Sequence, residues 1–348
     1  MTGYIKALNL HGVGDLRYED VLMPALQEDE VLLQVKAVGI CGSDIPRVYS
    51  KGTYHFPTVI GHEFAGKVVE TNPDDSSWQG KRVSVFPLIP CRECVACQRE
   101  RYAQCSHYDY YGSRRDGAMS EYLAVKKWNL CLLPDTVTYE EGAMNEPAAV
   151  AIHAYSQSGA KPSDTILVYG VGTIALLLAQ WARSNGVKNI ILAARSEEKK
   201  SFAQRLGFPM AVNIKEENLA KYVDEVTQGR GVDVSFEGTG QSQPWEECIM
   251  LTRSFGTVVS LGNPEGSMTL SQKGYWQIMR QELKVIGTWN SSFNRHENDW
   301  QAALMAMEEN KLEPAALITH RFSLHDYAKA FSLMQERREM FVKVMFCL

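Results

Sequence analysis

The stretch ILVYGVGTIALLLAQWA, residues 166–182, runs a row of aliphatic residues into Gly170 and Gly172 and straight on into a helical pattern. Strand, tight glycine turn and helix in immediate succession call for a parallel strand after the helix, because a parallel connection needs a crossover. The downstream sequence meets that requirement. NIILAAR (189–195), MAVNI (210–214), VDVSFEGTG (232–240) and TVVSLGN (257–263) are short aliphatic runs, separated by amphipathic segments such as EEKKSFAQRLGF, NLAKYVDEVTQG and QPWEECIMLTRSFG. Alternating units of this kind predict an α/β fold with a doubly wound parallel sheet.

Gly170, Gly172 and Ala175 stand in G-x-G-x-x-A spacing. The first glycine permits the turn, the second lets a backbone approach a pyrophosphate, and the alanine keeps helix and sheet close. Thr173 and Ile174 open the helix, whose free N–H groups and positive dipole end suit phosphates. Packing alone explains a pair of glycines; their place inside βαβ units points to a dinucleotide. The next strand ends at Ala194-Arg195-Ser196, about 20 residues past the glycines, where an acid would bind the 2′-hydroxyl of NAD. Alanine removes the repulsion of a 2′-phosphate and a guanidinium can pair with it, so NADP(H) is expected in preference to NAD(H).

The first 135 residues have another texture. IKALNL, VLLQVKAVGI, FAGKVVE, KRVSVFP and EYLAVK are strand-like and separated by turn residues, as in an all-β, partly closed barrel. The tail carries two helical patterns, DWQAALMAMEEN and LHDYAKAFSLMQE, and a last strand, FVKVMF. The expected division is a β-rich domain over 1–150 with a cysteine lobe at 88–108, a nucleotide-binding domain over 151–287, and a return to the first domain over 288–348.

The chain has 348 residues, 45% of them hydrophobic and 22% charged, with a net charge of −5. That length suits two domains. The negative balance disfavours nucleic acid and anionic membrane as partners. No apolar run approaches the roughly 18 residues of a membrane span, and the N-terminal residues lack the pattern of a secretion signal. A cytoplasmic protein with thiols rather than disulfides is expected, although it has eight cysteines.

Four of those cysteines crowd together. Cys91, Cys94, Cys97 and Cys105 stand in C-x2-C-x2-C-x7-C spacing, which suits a closed tetrahedral zinc site. An iron–sulfur cluster and a nucleic-acid-binding zinc ribbon are the alternatives, and the acidic chain speaks against the ribbon. A second set is dispersed: Cys41 in GICGSD, His62 and Glu63 in IGHEFAG, and Glu146 in NEPAAV. One sulfur, one imidazole and a carboxylate leave a position open, as a catalytic zinc requires. Each residue alone has a plainer explanation as a buried thiol, a core histidine or a helix-start acid. Asp44 is a candidate to orient His62.

Taken in order, GICGSD, GHEFAG, the four-cysteine lobe, DGAMSEY, NEPAAVAIHA and VYGVGTIA resemble the zinc-dependent medium-chain alcohol dehydrogenases along essentially the whole chain. CGSDIPRVY, YGSRRDGAMSEY and NEPAAV are most similar to the polyol and sugar-alcohol branch. The resemblance implies a GroES-like β-rich catalytic domain beside a Rossmann domain, with zinc and nicotinamide in the cleft between them. It also implies two zinc ions per subunit, a homodimer or homotetramer, and hydride transfer between NADP(H) and a polyol or sugar, free or phosphorylated. On this sequence Cys41, His62 and Glu146 match the catalytic zinc positions. Glu63 matches an acid that ligates or exchanges with Glu146 in some members, and the four clustered cysteines match the structural zinc. Pro46 stands near where some members carry a relay histidine. Ser43, two residues past Cys41, is then the candidate to carry the proton away, and Arg47, Arg114 and Arg115 are candidates to meet the substrate. An NAD-dependent alcohol or threonine-type dehydrogenase of the same superfamily is the alternative; a non-catalytic zinc scaffold or sensor is the alternative of another class.

Overall fold

The computed structural model describes residues 3–72 and 76–348. Contacts divide the chain into two compact units, Met1–Ala149 with Ser292–Leu348, and Val150–Ser291.

The first unit is built on antiparallel strands. Its centre is the strand Glu30–Ile40, buried along nearly its whole length. Glu63–Thr71, Tyr122–Lys126 and Lys343–Cys347 all pair with it antiparallel. A strand covered on both faces and both edges needs apolar residues at nearly every position, and VLLQVKAVGI supplies them. The outer strands complete a seven-stranded sheet, and a second sheet of three strands carries Tyr4–Gly12, Asp15–Leu22 and Thr58–Val59. Leu8, Leu33, Val38, Phe64, Val85 and Phe346 meet in the core between these layers. The C-terminal strand runs parallel to Ile318–Phe322 and antiparallel to Glu30–Ile40. It thereby brings the end of the chain against the segments on either side of Cys41 and Glu63.

The cysteine lobe is held by aromatic rings and ion pairs. Phe86 stacks on Phe293 at 4.6 Å and meets Trp300 edge-on at 5.4 Å. Glu100 pairs with Arg295 at 2.6 Å and Arg101 with Glu297 at 2.5 Å. The helix Asn145–Ser158 comes after a short helix, Tyr139–Ala143, whose start is fixed by a reciprocal cap between Thr138 and Glu141.

The second unit holds six parallel strands in the order Ala211–Asn213, Asn189–Ala194, Thr165–Tyr169, Val232–Glu237, Thr252–Ser260, Lys284–Gly287. Numbered along the unit this is 3-2-1-4-5-6, the Rossmann order, and it reverses beside Thr165–Tyr169. That strand is wholly buried. The helix Thr173–Ser184 carries its leucines and alanines on the covered side. Among the described residues, no helix is long and apolar enough to cross a membrane.

Candidate active site

Two groups of ligand-type side chains converge in the first unit. Cys91, Cys94, Cys97 and Cys105 lie with their sulfurs within 4.8 Å of one another. The Cys91 and Cys97 sulfurs are 3.9 Å apart, close to the edge of a tetrahedron with zinc–sulfur bonds of about 2.3 Å. The lobe also prepares thiolates. Backbone N–H groups of Cys97 and Ser106 pull the Cys94 thiol down to about 5, and the N–H groups of Glu93 and Cys94 lower Cys91. Burial pushes the Cys97 thiol up to about 12. All eight cysteines are free thiols. Four sulfurs at this spacing fit one closed zinc site.

The second group is Cys41, His62 and Glu63, whose ligand atoms also lie within 4.8 Å. Cys41 comes directly after the strand Glu30–Ile40, and Glu63 opens the strand that pairs with it, Gly39 opposite Glu63. A Cβ on Gly39 would lie 2.2 Å from the Glu63 carboxylate, so a side chain there would displace that carboxylate. Burial, with the charges of Glu63 and Asp44 added to it, pushes the Cys41 thiol up to about 12. Glu146 stands beside the trio. Burial raises its carboxyl to about 7, His62 favours its charge and Glu63 opposes it. A sulfur, an imidazole and two carboxylates gathered in one place are a donor set that fits a divalent cation.

Residues around this pocket divide the remaining work. The Asp44 carboxylate accepts from the Cys41 N–H at 2.9 Å and from Arg47 at 2.8 Å. It lies 3.6 Å from His62 Nδ1, beyond hydrogen-bond length, so its grip on the ring is electrostatic. Arg47 Nη1 is closer to that nitrogen, at 3.4 Å, and donates to Ser43 Oγ at 3.0 Å. Ser43 is partly exposed, and its oxygen accepts from Arg47. Arg115 is drawn away towards Glu30 at 3.7 Å and Asp109 at 3.5 Å.

Sequence reasoning missed two residues. Lys343 is buried and donates to Glu63 at 2.5 Å and to the Ile40 carbonyl at 3.2 Å. Burial works against its charge, but Glu63 and Cys41 outweigh it and raise its pKa. A lone lysine inside FVKVMF, a strand otherwise apolar, was the available signal. Tyr110 reaches Glu146 Oε1 with its hydroxyl at 3.4 Å and lies against the His62 ring at 5.6 Å. Burial and then Glu146 push its pKa well above the usual tyrosine value.

In the second unit the glycine turn has the shape its sequence predicts. Gly170 has φ +120, a left-handed conformation that favours glycine. A Cβ on Gly172 would meet nothing within 4 Å, so the open space above it is what a side chain would fill and a pyrophosphate can use. Thr173 and Ile174 begin the helix there, with Gly172 at its cap position. Ala194 is fully buried at its strand end, and Arg195 beside it is exposed, with no carboxylate partner among the described residues. Ser196 caps the next helix by accepting from Lys199 N–H at 3.4 Å.

Comparison with known proteins gives these features a frame. The family profile described as alcohol dehydrogenase GroES-like domain matches residues 27–135, and that of zinc-binding dehydrogenase matches residues 170–309. The chain is 32% identical to galactitol 1-phosphate 5-dehydrogenase of Escherichia coli K12, over 91% of this chain and 92% of that protein. It is 32% identical to D-arabitol-phosphate dehydrogenase of Enterococcus avium, over 96% and 94%. The structure of a zinc-binding dehydrogenase from Sinorhizobium meliloti 1021 bound to NADP superposes with a TM-score of 0.91 at 28% identity, covering 99% of this chain and 100% of that one.

Proposed function

We propose a reaction for a chain that belongs to the zinc-dependent medium-chain polyol dehydrogenases: reversible hydride transfer between NADP(H) and the carbinol or ketone carbon of a polyol or sugar, free or phosphorylated. The observation that carries this is the meeting of Cys41, His62 and Glu63, with Glu146 beside them, in one buried pocket. Zinc bound there supplies Lewis-acid polarisation of the substrate oxygen, and the nicotinamide supplies the hydride carrier.

The chain's own groups do the rest. Cys41, His62 and Glu146 hold the metal. Glu63 is kept by Lys343 and serves as the reserve carboxylate, since its charge is already matched. Ser43 would relay the proton of the substrate oxygen, accepting it as it gives its own to water on its partly exposed side, and Arg47 fixes its oxygen by donating to it. Asp44 holds Arg47 and the Cys41 backbone in place. In the second unit, Gly170, Gly172, Thr173 and Ile174 cradle the pyrophosphate. Arg195 pairs with a 2′-phosphate in the space Ala194 leaves free of an acid. Glu197 and Glu198 in the adjoining helix turn oppose that charge, so the preference rests on Arg195. The four-cysteine lobe holds a second, structural zinc. Eight cysteines outside any disulfide support a reducing, cytoplasmic setting, and the exposed apolar edge of the parallel sheet supports a homodimer or homotetramer.

Metal analysis together with steady-state kinetics tests the reading. The parent protein is expected to hold two zinc ions per subunit and to oxidise polyols with NADP. Glu146→Ala is expected to retain one zinc, bind NADPH as the parent does by fluorescence, and lose activity by about a hundredfold or more in kcat. Full turnover with a single zinc per subunit overturns it.

A further inference from the structure

The three arginines near the site keep different company. Arg47 is bound to Asp44 and Ser43, and Arg115 leans on Glu30 and Asp109. Arg114 has no carboxylate partner among the described residues. Its guanidinium carbon lies 4.0 Å from the Tyr54 ring centroid and 4.5 Å from that of Tyr108, held between two phenols. Its backbone is pinned as well: its N–H donates to the Tyr110 carbonyl at 3.0 Å, and its carbonyl meets His55 Nε2 at 3.1 Å. Stacking fixes the plane of a guanidinium without using its N–H donors. Arg114 thus presents a planar row of donors to an incoming acceptor.

Arg114 also stands at the end of an aromatic wall that leads to the metal pocket. The Tyr108 ring meets the Tyr110 ring edge-on at 6.1 Å. The Tyr110 ring lies 5.6 Å from His62, and its hydroxyl 3.4 Å from Glu146. The rings of Tyr108 and Tyr110 thus connect Arg114, contact by contact, to His62 and Glu146.

We propose that Arg114, clamped between Tyr54 and Tyr108, receives the terminal phosphate of a phosphorylated polyol whose carbinol carbon is presented at the Cys41–His62 pocket. This rests on the polyol reading above and names its substrate class. A phosphate monoester matches the guanidinium edge with two oxygens at once and carries more charge than a carboxylate. A neutral polyol offers Arg114 nothing to neutralise.

The test uses the zinc-loaded full chain and three probes, galactitol 1-phosphate, galactitol and galactonate, with two variants, Arg114→Gln and Arg114→Lys. Calorimetric titration with NADP present reads binding without turnover; kinetics reads KM against kcat. Arg114→Gln is expected to weaken galactitol 1-phosphate about tenfold to a hundredfold in Kd and KM, with kcat within about twofold. Galactitol is expected to bind the variant and the parent alike. Arg114→Lys, which keeps the charge and loses the flat stack, is expected to fall between them and shows that the site still folds. Equal losses on galactitol and its phosphate, no loss on either, or a loss confined to galactonate overturns the proposal. A parent that binds galactitol 1-phosphate through Arg114 but oxidises no polyol sinks the polyol reading and leaves the anion site standing. A parent that oxidises galactitol and its phosphate with the same KM does the reverse.

Discussion

Glu63 and Glu146 are both buried acids at one pocket, and Lys343 separates their roles by meeting only Glu63. The same logic applies at the nucleotide end, where Ala194 and Arg195 stand in place of an acid. Ala194→Asp is expected to raise the KM for NADP(H) by about tenfold or more, since an aspartate both repels a 2′-phosphate and competes for Arg195, an effect of about 1.5–3 kcal/mol. The KM for NAD(H) is expected to fall, because the new carboxylate accepts from the ribose hydroxyl. Paired kinetics with both cofactors check this, and an unchanged ratio removes Ala194 from cofactor choice. The gathering of Cys41 with His62 and Glu63, and that of the four clustered cysteines, was legible because these residues sit in short segments whose neighbouring glycines and prolines stand out in the sequence. Lys343 was not: it lies 280 residues from Glu63, and only strand pairing brings them together. Tyr110 was hidden for a different reason, since nothing in a tyrosine on a strand of two residues, Asp109–Tyr110, distinguishes a site from a core.

Among elements, legibility tracked burial. Glu30–Ile40 and Thr165–Tyr169 are covered on all sides and their aliphatic runs announce them. Asp15–Leu22 has no buried position along its length, so DLRYEDVL shows no apolar alternation and is missing from the strand-like runs named above. Lys284–Gly287 was passed over because it is four residues long and mostly exposed at the sheet's edge. One connection between elements gives a pH signature. Arg321, on the strand Ile318–Phe322, makes a forked contact to Glu140 on the helix Tyr139–Ala143, at 2.7–3.0 Å. That hydrogen bond is the main reason the Glu140 carboxyl lies below its usual range. A carboxylate whose folded pKa is depressed adds stability above its unfolded pKa of about 4.3. The contribution is lost as pH falls through the lower folded value. Both side chains are partly in water, so the contribution is at most about 1 kcal/mol. Arg321→Gln is therefore expected to lower the thermal midpoint at pH 7 by about 1–3 °C. The gap from the parent is expected to close as pH drops below about 4. Melting curves from about pH 7 to about pH 3 check it; a gap that persists at the acid end shows that Arg321 acts through packing alone.

The whole molecule pairs a β-rich unit, which carries both metal-type clusters, with a doubly wound sheet, which carries the glycine turn. The α/β class and the doubly wound parallel sheet came from alternating strand and helix patterns, because each pattern is local and repeats; the order of the strands is a property of the fold alone. Assembly is a different matter, since no periodicity records which edge meets a second copy. The strand Lys284–Gly287 ends the parallel sheet and pairs on one side only, with Thr252–Ser260. In the sequence flanking it Tyr275, Trp276, Met279 and Trp289, with Val285 on the strand itself, are all exposed, apolar surface that a lone subunit would leave in water. An edge strand of this kind is a template for pairing, and a two-fold axis beside it would join two sheets into one, with the same patch on both sides. Val285→Lys puts a charge into that junction, where it would have to be buried without a partner. The variant is expected to sediment as a monomer at concentrations where the parent is a dimer or larger, with its melting midpoint lowered by mass action. If the variant keeps the parent's mass down to the lowest concentration measured, the subunits meet elsewhere, and the apolar edge has to be accounted for in another way.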